Sequence, residues 1–197
     1  MRSGICMAAI GLVFALAHPV MAEDDAMMRI ITVEQVTAFN AGTPKRSDLQ
    51  IDASVDRPDR TYARGEVLKL SIKTNQDAFV TIFNVGPTGK VTQLFPNKFQ
   101  KDSFIKANVD TLVPSEESTA QIRIAGNLGA ELIKIVATNK PTDLGVKVVA
   151  NSDQTFSALD GGVQELVRDL EVTTNPAAPA ADKIAILNLT IKTVGSR

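Results

Sequence analysis

Ser103-Phe-Ile-Lys106 comes nearest to a catalytic motif in this sequence. A serine three residues before a lysine serves acyl transfer when one helical turn brings ammonium and hydroxyl together. Ser-Asp-Asn and Lys-Thr-Gly companions complete such a site. Here Ser152-Asp153 is followed by Gln154 and Lys192-Thr193 by Val194, and residues 103–106 read as loop or strand. Chance occurrence accounts for the match. Glu116-Glu117 offers two carboxylates, but neighbours on an extended segment point apart, whereas glycoside hydrolysis needs them facing across a cleft. After Pro114-Ser115 they read as a solvated turn. Asp56-Arg-Pro-Asp59 and Asn151-Ser-Asp153 lack the dense oxygen spacing of a calcium loop. No Gly-rich phosphate loop ending in Lys-Ser/Thr occurs, and the Asn188-Leu-Thr190 sequon falls in a segment that reads as buried strand.

The only His and the only Cys, His18 and Cys6, lie in the first 22 residues. That segment has a basic start at Arg2, an apolar run from Ile5 to Ala17, and Val20-Met21-Ala22 as a small-residue cleavage site. The run is shorter than the roughly 18 residues a membrane helix needs, so it reads as a removable signal rather than an anchor. Cys6 lies at the start of the apolar run and not after it, which excludes a lipoprotein signal. Cleavage after Ala22 would leave a chain with no transmembrane segment and a periplasmic or secreted location. It would also leave no His and no Cys. Ser-His-Asp and Cys-His catalysis and imidazole or thiolate zinc sites are then excluded. Carboxylate, lysine and serine chemistry remain, and none is organised into a motif. The expectation is no catalytic residue, no metal and no cofactor.

One further stretch has the residue types of a binding surface. Leu94-Phe95-Pro96-Asn97-Lys98-Phe99-Gln100-Lys101-Asp102-Ser103-Phe104-Ile105-Lys106 sets Phe95, Phe99 and Phe104 among Lys98, Lys101 and Lys106. Pro96 lacks a ladder donor and ends the strand before it. Two readings are open. The phenylalanines cap the core while the lysines stay wet, or aromatics ringed by cations meet a protein partner or an anionic polymer. Nucleic acid is not expected. Formal charge over the 197 residues is −1, Trp is absent, and Phe79 and Phe83 sit in an apolar run that reads as core.

The elements that must hold this stretch are strands. Leu49 to Val55 is apolar at every second position, and Leu68, Leu70 and Ile72 alternate with Lys69, Ser71 and Lys73. Residues 78–85 are nearly continuously apolar and read as a central strand. Gly86-Pro87-Thr88-Gly89 is a hairpin turn leading to a partner at 90–95. Further strands are expected at 119–125, 129–139 and 184–194, with another near 30–36. Helical period occurs once, where Leu159, Val163, Leu166, Val167 and Leu170 recur at three- and four-residue steps behind a Ser157/Asp160 cap. Residues 37–48 and 173–182 read as loops. Short strands punctuated by turns predict an immunoglobulin-like β-sandwich with one short helix near the C-terminal end. The division is a signal at 1–22, a strand and linker at 23–48, and one domain at 49–197.

Tyr62-Ala-Arg-Gly65-Glu, Ala78-Phe-Val-Thr-Ile-Phe-Asn84 and Gly89-Lys-Val-Thr-Gln-Leu-Phe-Pro-Asn97 occur in order, followed by Gly129-Ala-Glu131-Leu-Ile-Lys-Ile-Val-Ala-Thr138. In these elements the chain resembles the bacterial domain of unknown function 4384 family over residues 62–141, and more loosely through Val167-Arg-Asp-Leu170 to the last strand. The resemblance implies an exported β-sandwich module of the kind attached to envelope or signalling proteins, here standing almost alone, and implies no activity. Sequence and resemblance together point to a non-catalytic module mediating protein–protein interaction in the bacterial cell envelope. The alternative is a binder of a small ligand or anionic envelope polymer at one end of the sandwich.

Overall fold

The computed structural model describes residues 48–144 and 183–195 and, between them, 146, 147, 149, 155–159, 162, 163, 165, 166, 168 and 170. The expected signal at 1–22, the strand near 30–36 and the loop at 173–182 lie outside the described residues, as does all but the last residue of the loop at 37–48.

The elements are β1 (Ile51–Val55), β2 (Thr61–Ala63), β3 (Val67–Leu68), β4 (Leu70–Thr74), β5 (Ala78–Val85) and β6 (Val91–Phe95). They continue with β7 (Phe104–Ile105), β8 (Thr111–Val113), β9 (Ile122–Arg123), β10 (Gly129–Thr138), β11 (Ser157–Ala158) and β12 (Ile184–Val194). A seven-stranded sheet has the order β11-β6-β5-β10-β12-β2, with β7 also paired to β5. A three-stranded sheet β1-β4-β8 and a ribbon β3-β9 complete the set. β10 runs antiparallel to β5 and β12 on either side, whereas β2 joins β12 in parallel.

The sandwich expectation is overturned. Among the described residues no sheet closes with another into an immunoglobulin-like sandwich or a barrel; most of the strands gather in one sheet, and apolar clusters lie on both of its faces. Alternate residues of β5 and β10 show this. Val80, Ile82, Ile133 and Ile135 join one cluster with Leu70, Ile72 and Val113 of the smaller sheet and Leu68 of the ribbon. Phe83, Val85, Leu132 and Val136 join a second cluster with Leu159, Val163, Leu166 and Leu170. A strand covered on both faces reads as a nearly continuous apolar run, which is what residues 78–85 display, while 129–138 is interrupted by Glu131 and Lys134. Alternation identifies strands but not which sheet each one enters.

The short helix is overturned with it. Every described element is a strand, and Ser157, expected to cap a helix with Asp160, instead forms β11 with Ala158 against Gln93 and Thr92. Residues 162, 163, 165, 166, 168 and 170 have helical backbone, but their intervening neighbours lie outside the described residues and no continuous helix is described. The three- and four-residue apolar period did locate a buried face, since Val163, Leu166 and Leu170 are each at most 2% exposed.

Candidate functional site

The aromatic and basic stretch begins in the core and ends on the surface. β5 and β6 pair with a register shift: Ile82 faces Phe95 and Phe83 faces Gln93, leaving Leu94 as the extra residue of a bulge. A bulge turns two successive side chains toward one side, and both Leu94 and Phe95 are buried in the larger cluster. The Phe95–Pro96 peptide is cis, and Pro96 is half-buried where β6 ends.

Asn97 organises the turn after Pro96. Its Nδ2 donates to Leu94 O at 2.9 Å, and its Oδ1 accepts from the backbone N–H groups of Phe99 and Gln100, each at 2.9 Å. Its own N–H donates to Gln100 O at 2.8 Å. A side-chain amide bonding its own backbone two and three residues on is the Asx-type turn for which Asn is selected. Gln100 fastens the turn to β8, donating to Leu112 O at 3.2 Å and accepting from Ser115 N at 3.0 Å. Lys98 N donates to Thr155 O at 3.2 Å, tying the loop to the segment entering β11.

This pinned turn holds the Phe99 side chain outward, 51% exposed, with exposed Lys98 and Lys101 close by in sequence. The chain then returns to the sheet as β7, where Phe79 pairs with Phe104 and Ala78 with Ile105. Phe104 is 38% exposed while its ring lies 5.4 Å from that of Phe79 at 60°, a tilted pair that fixes its direction. Asp102 Oδ1 accepts from Phe104 N at 2.9 Å, the loop's acid thereby serving its backbone. Lys101 and Lys106 are exposed and form no ion pair among the described residues.

Of the nine candidate binding residues, Leu94, Phe95 and Asn97 are therefore structural, Pro96 is half-buried, and Lys98, Phe99, Lys101, Phe104 and Lys106 reach the surface. Leu94 and Phe95 lie in the core, as the capping reading expects, whereas Phe99 and Phe104 reach the surface. Ser103 and Lys106 flank β7, an extended segment, so no helical turn brings them together. Glu116 and Glu117 lie exposed in a turn.

Two buried ionisable groups in β10, Glu131 and Lys134, were not among the candidate residues. Glu131, 4% exposed, accepts from Asn84 Nδ2 at 2.8 Å and Thr193 Oγ1 at 2.6 Å on the face of the larger cluster. Lys134, 1% exposed, lies on the opposite face, with Phe83 and Asn188 as cross-strand partners and Asn188 Oδ1 3.5 Å from Nζ. Burial pushes the Lys134 ammonium down to about 8. The sign that each lay inside was its apolar neighbours on both sides, Ala130 and Leu132 for Glu131 and Ile133 and Ile135 for Lys134.

Among the described residues no group of three or more His, Cys, Asp and Glu is placed to hold a metal, and no helix is long and apolar enough to cross a membrane. Residues 61–141, from β2 through the end of β10, match the family model described as a domain of unknown function, DUF4384. No curated protein and no solved structure gives a significant match. The matched segment is β-rich and contains the whole 94–106 stretch.

Proposed function

We propose that this chain is an exported, non-catalytic interaction domain of the cell envelope. In this reading the 98–106 segment docks on a protein partner that presents acidic side chains around an apolar socket. The observation that carries the reading is Phe99: a large aromatic side chain half exposed at the tip of a turn that Asn97 holds rigid. A preorganised aromatic loses little freedom on binding, and aromatic anchors dominate the energetics of protein interfaces. Lys98, Lys101 and Lys106 supply the sign of the partner and set the encounter rate more than the affinity. The absence of His and Cys from residues 23–197 supports a non-catalytic role.

The reading is tested by recovering envelope proteins on the immobilised mature chain, beside Phe99→Ser and a Lys98→Glu/Lys101→Glu/Lys106→Glu triple variant. One protein retained stoichiometrically by the native chain should be lost from both variants, with retention by the native chain weakening as salt rises. Phe99→Ser should leave thermal stability within about 0.5 kcal/mol, because the side chain is surface-borne. Equal retention by all three chains would contradict the reading.

Export carries its own expected result. The protein isolated after synthesis in a bacterial host should begin at Glu23, as read by N-terminal sequencing, and fractionate outside the cytoplasm. An intact Met1 on mature cytoplasmic protein would overturn this part of the proposal.

A further inference from the structure

On its inner side β12 pairs with β10 from Ile184 to Thr193, whereas on its outer side β2 pairs only with Lys192, Thr193 and Val194. Lys192 N donates outward to Arg60 O at 2.8 Å. Both backbone polar groups of a residue in an antiparallel strand point to one side, and that side alternates along the strand. Ile184, Ile186 and Thr190 therefore turn theirs as Lys192 does, away from β10, and no described strand pairs with them there. β1 leaves this edge open. Its Ile51, Ala53 and Val55 lie against the same apolar cluster as Ala185 and Leu187, so β1 covers a face of β12 rather than its edge.

An open edge is a template for any extended chain, and folded proteins blunt such edges with charge, proline or a cover. Ile184-Ala-Ile-Leu-Asn-Leu-Thr190 contains neither a charge nor a proline. Ala185, Ile186 and Leu187 are half-buried and Thr190 is exposed. A cover is the remaining device.

The chain itself arrives at the foot of this edge. Asp48 Oδ2 accepts from Lys183 Nζ at 2.7 Å, one residue before β12, and Asp48 O accepts from Asn75 Nδ2 at 2.7 Å and Gln76 Nε2 at 3.0 Å. Residues before 48 thus set out from the beginning of β12. The stretch Ile30-Ile-Thr-Val-Glu-Gln-Val36, whose composition predicts a strand, is joined to Asp48 by residues 37–47. That link reaches about 36 Å when extended, more than the roughly 23 Å of a strand as long as 30–36.

We propose that residues 30–36 add to the outer edge of β12 as an antiparallel strand beside Ile184–Thr190, so that the chain covers its own sheet edge. The tether sets the direction: β12 runs away from Asp48, so a strand returning to Asp48 runs against it. Ile31 and Val33 then share one face and extend the row of Ala185, Leu187 and Leu189, while the backbone groups of Ile184, Ile186 and Thr190 gain partners. A strand from another protein or from a second copy would satisfy the same groups. The chain's own segment prevails because a short link holds it at an effective concentration on the order of millimolar. This inference stands apart from the docking reading of residues 98–106.

Amide hydrogen exchange of the purified mature chain, read residue by residue by NMR, tests it. The N–H groups of Ile186 and Thr190 should exchange about a hundredfold more slowly than unpaired amides, and equally at low and high protein concentration. Thr32→Pro/Val33→Pro removes the donor on whichever side faces β12. It should restore rapid exchange at both positions while Ile133 and Ile135 in β10 stay protected. The milder Ile31→Thr/Val33→Thr pair should shift exchange in the same direction. Rapid exchange of Ile186 and Thr190 in the native chain, or protection that appears only on concentration as a second copy would give, would overturn the assignment whether or not the proline variant folds. Protection unchanged in both variants would overturn it equally.

Discussion

The folded chain should gain roughly 2–3 kcal/mol of stability between pH 8 and pH 10, and Lys134→Met should abolish that gain. The cause is the position of Lys134 on β10, 1% exposed on the face that packs against Phe83, Leu132 and Val136. Burial lowers its ammonium from the ordinary 10.5 to about 8. Between those values the unfolded chain holds a proton that the folded chain has released, so stability climbs with pH. Tyr62 acts in the opposite sense at the upper end. Its side chain is wholly buried, and burial, together with the 2.7 Å hydrogen bond it donates to Asp56, raises its hydroxyl well above the ordinary 10.0. Above about pH 10 the unfolded chain loses that proton first, and stability falls again. Urea midpoints measured at intervals from pH 7 to pH 11 should therefore pass through a maximum near pH 10. A flat profile, or an unchanged rise in Lys134→Met, would refute the burial of this ammonium.

Asn97→Ala should destabilise the fold by roughly 2–4 kcal/mol, a large effect for a polar residue in a loop. The side chain satisfies Leu94 O and the N–H groups of Phe99 and Gln100, and the alanine methyl satisfies none of them. Asn97→Asp separates the two halves of the amide. It keeps the acceptor for the two N–H groups, loses the donor to Leu94 O, and sets a carboxylate oxygen against that carbonyl. It should cost less than alanine and recover partly as pH is lowered toward the carboxylate range. Thermal or urea unfolding of the three chains reads both effects. A loss below about 0.5 kcal/mol in Asn97→Ala would mean that water replaces all three bonds and that the turn does not depend on the side chain. Because Asn97 holds the Phe99 turn, its replacement should also weaken partner retention while Phe99 itself is unchanged.

The long strands were legible because their side chains carry a pattern. Residues 78–85 and 184–194 are strands with the expected bounds, and the Gly86–Gly89 turn closes with Gly89 N donating to Gly86 O at 2.9 Å. β7, β8, β9 and β11 have two or three residues each, too few for any period to show. Their pairing is set by tertiary contact. The same lack of local information hides sheet membership. The parallel approach of β2 to β12 joins Thr61 to Lys192 across most of the chain and leaves no trace in either segment. The candidate stretch was legible in composition but not in depth. Alternation cannot anticipate the bulge that buries both Leu94 and Phe95, nor distinguish a solvated Asn from one that holds a turn.

The central claim is that the Phe99 turn is a protein-docking surface, and site-specific photo-crosslinking tests it most directly. A photoreactive phenylalanine analogue placed at position 99 or 104 of the full-length chain in a bacterial host should yield one dominant protein adduct. The same analogue at Leu128 or Val149, which are exposed to a similar degree elsewhere, should not. Adducts of equal yield from all four positions, or none from 99 and 104, would contradict the account.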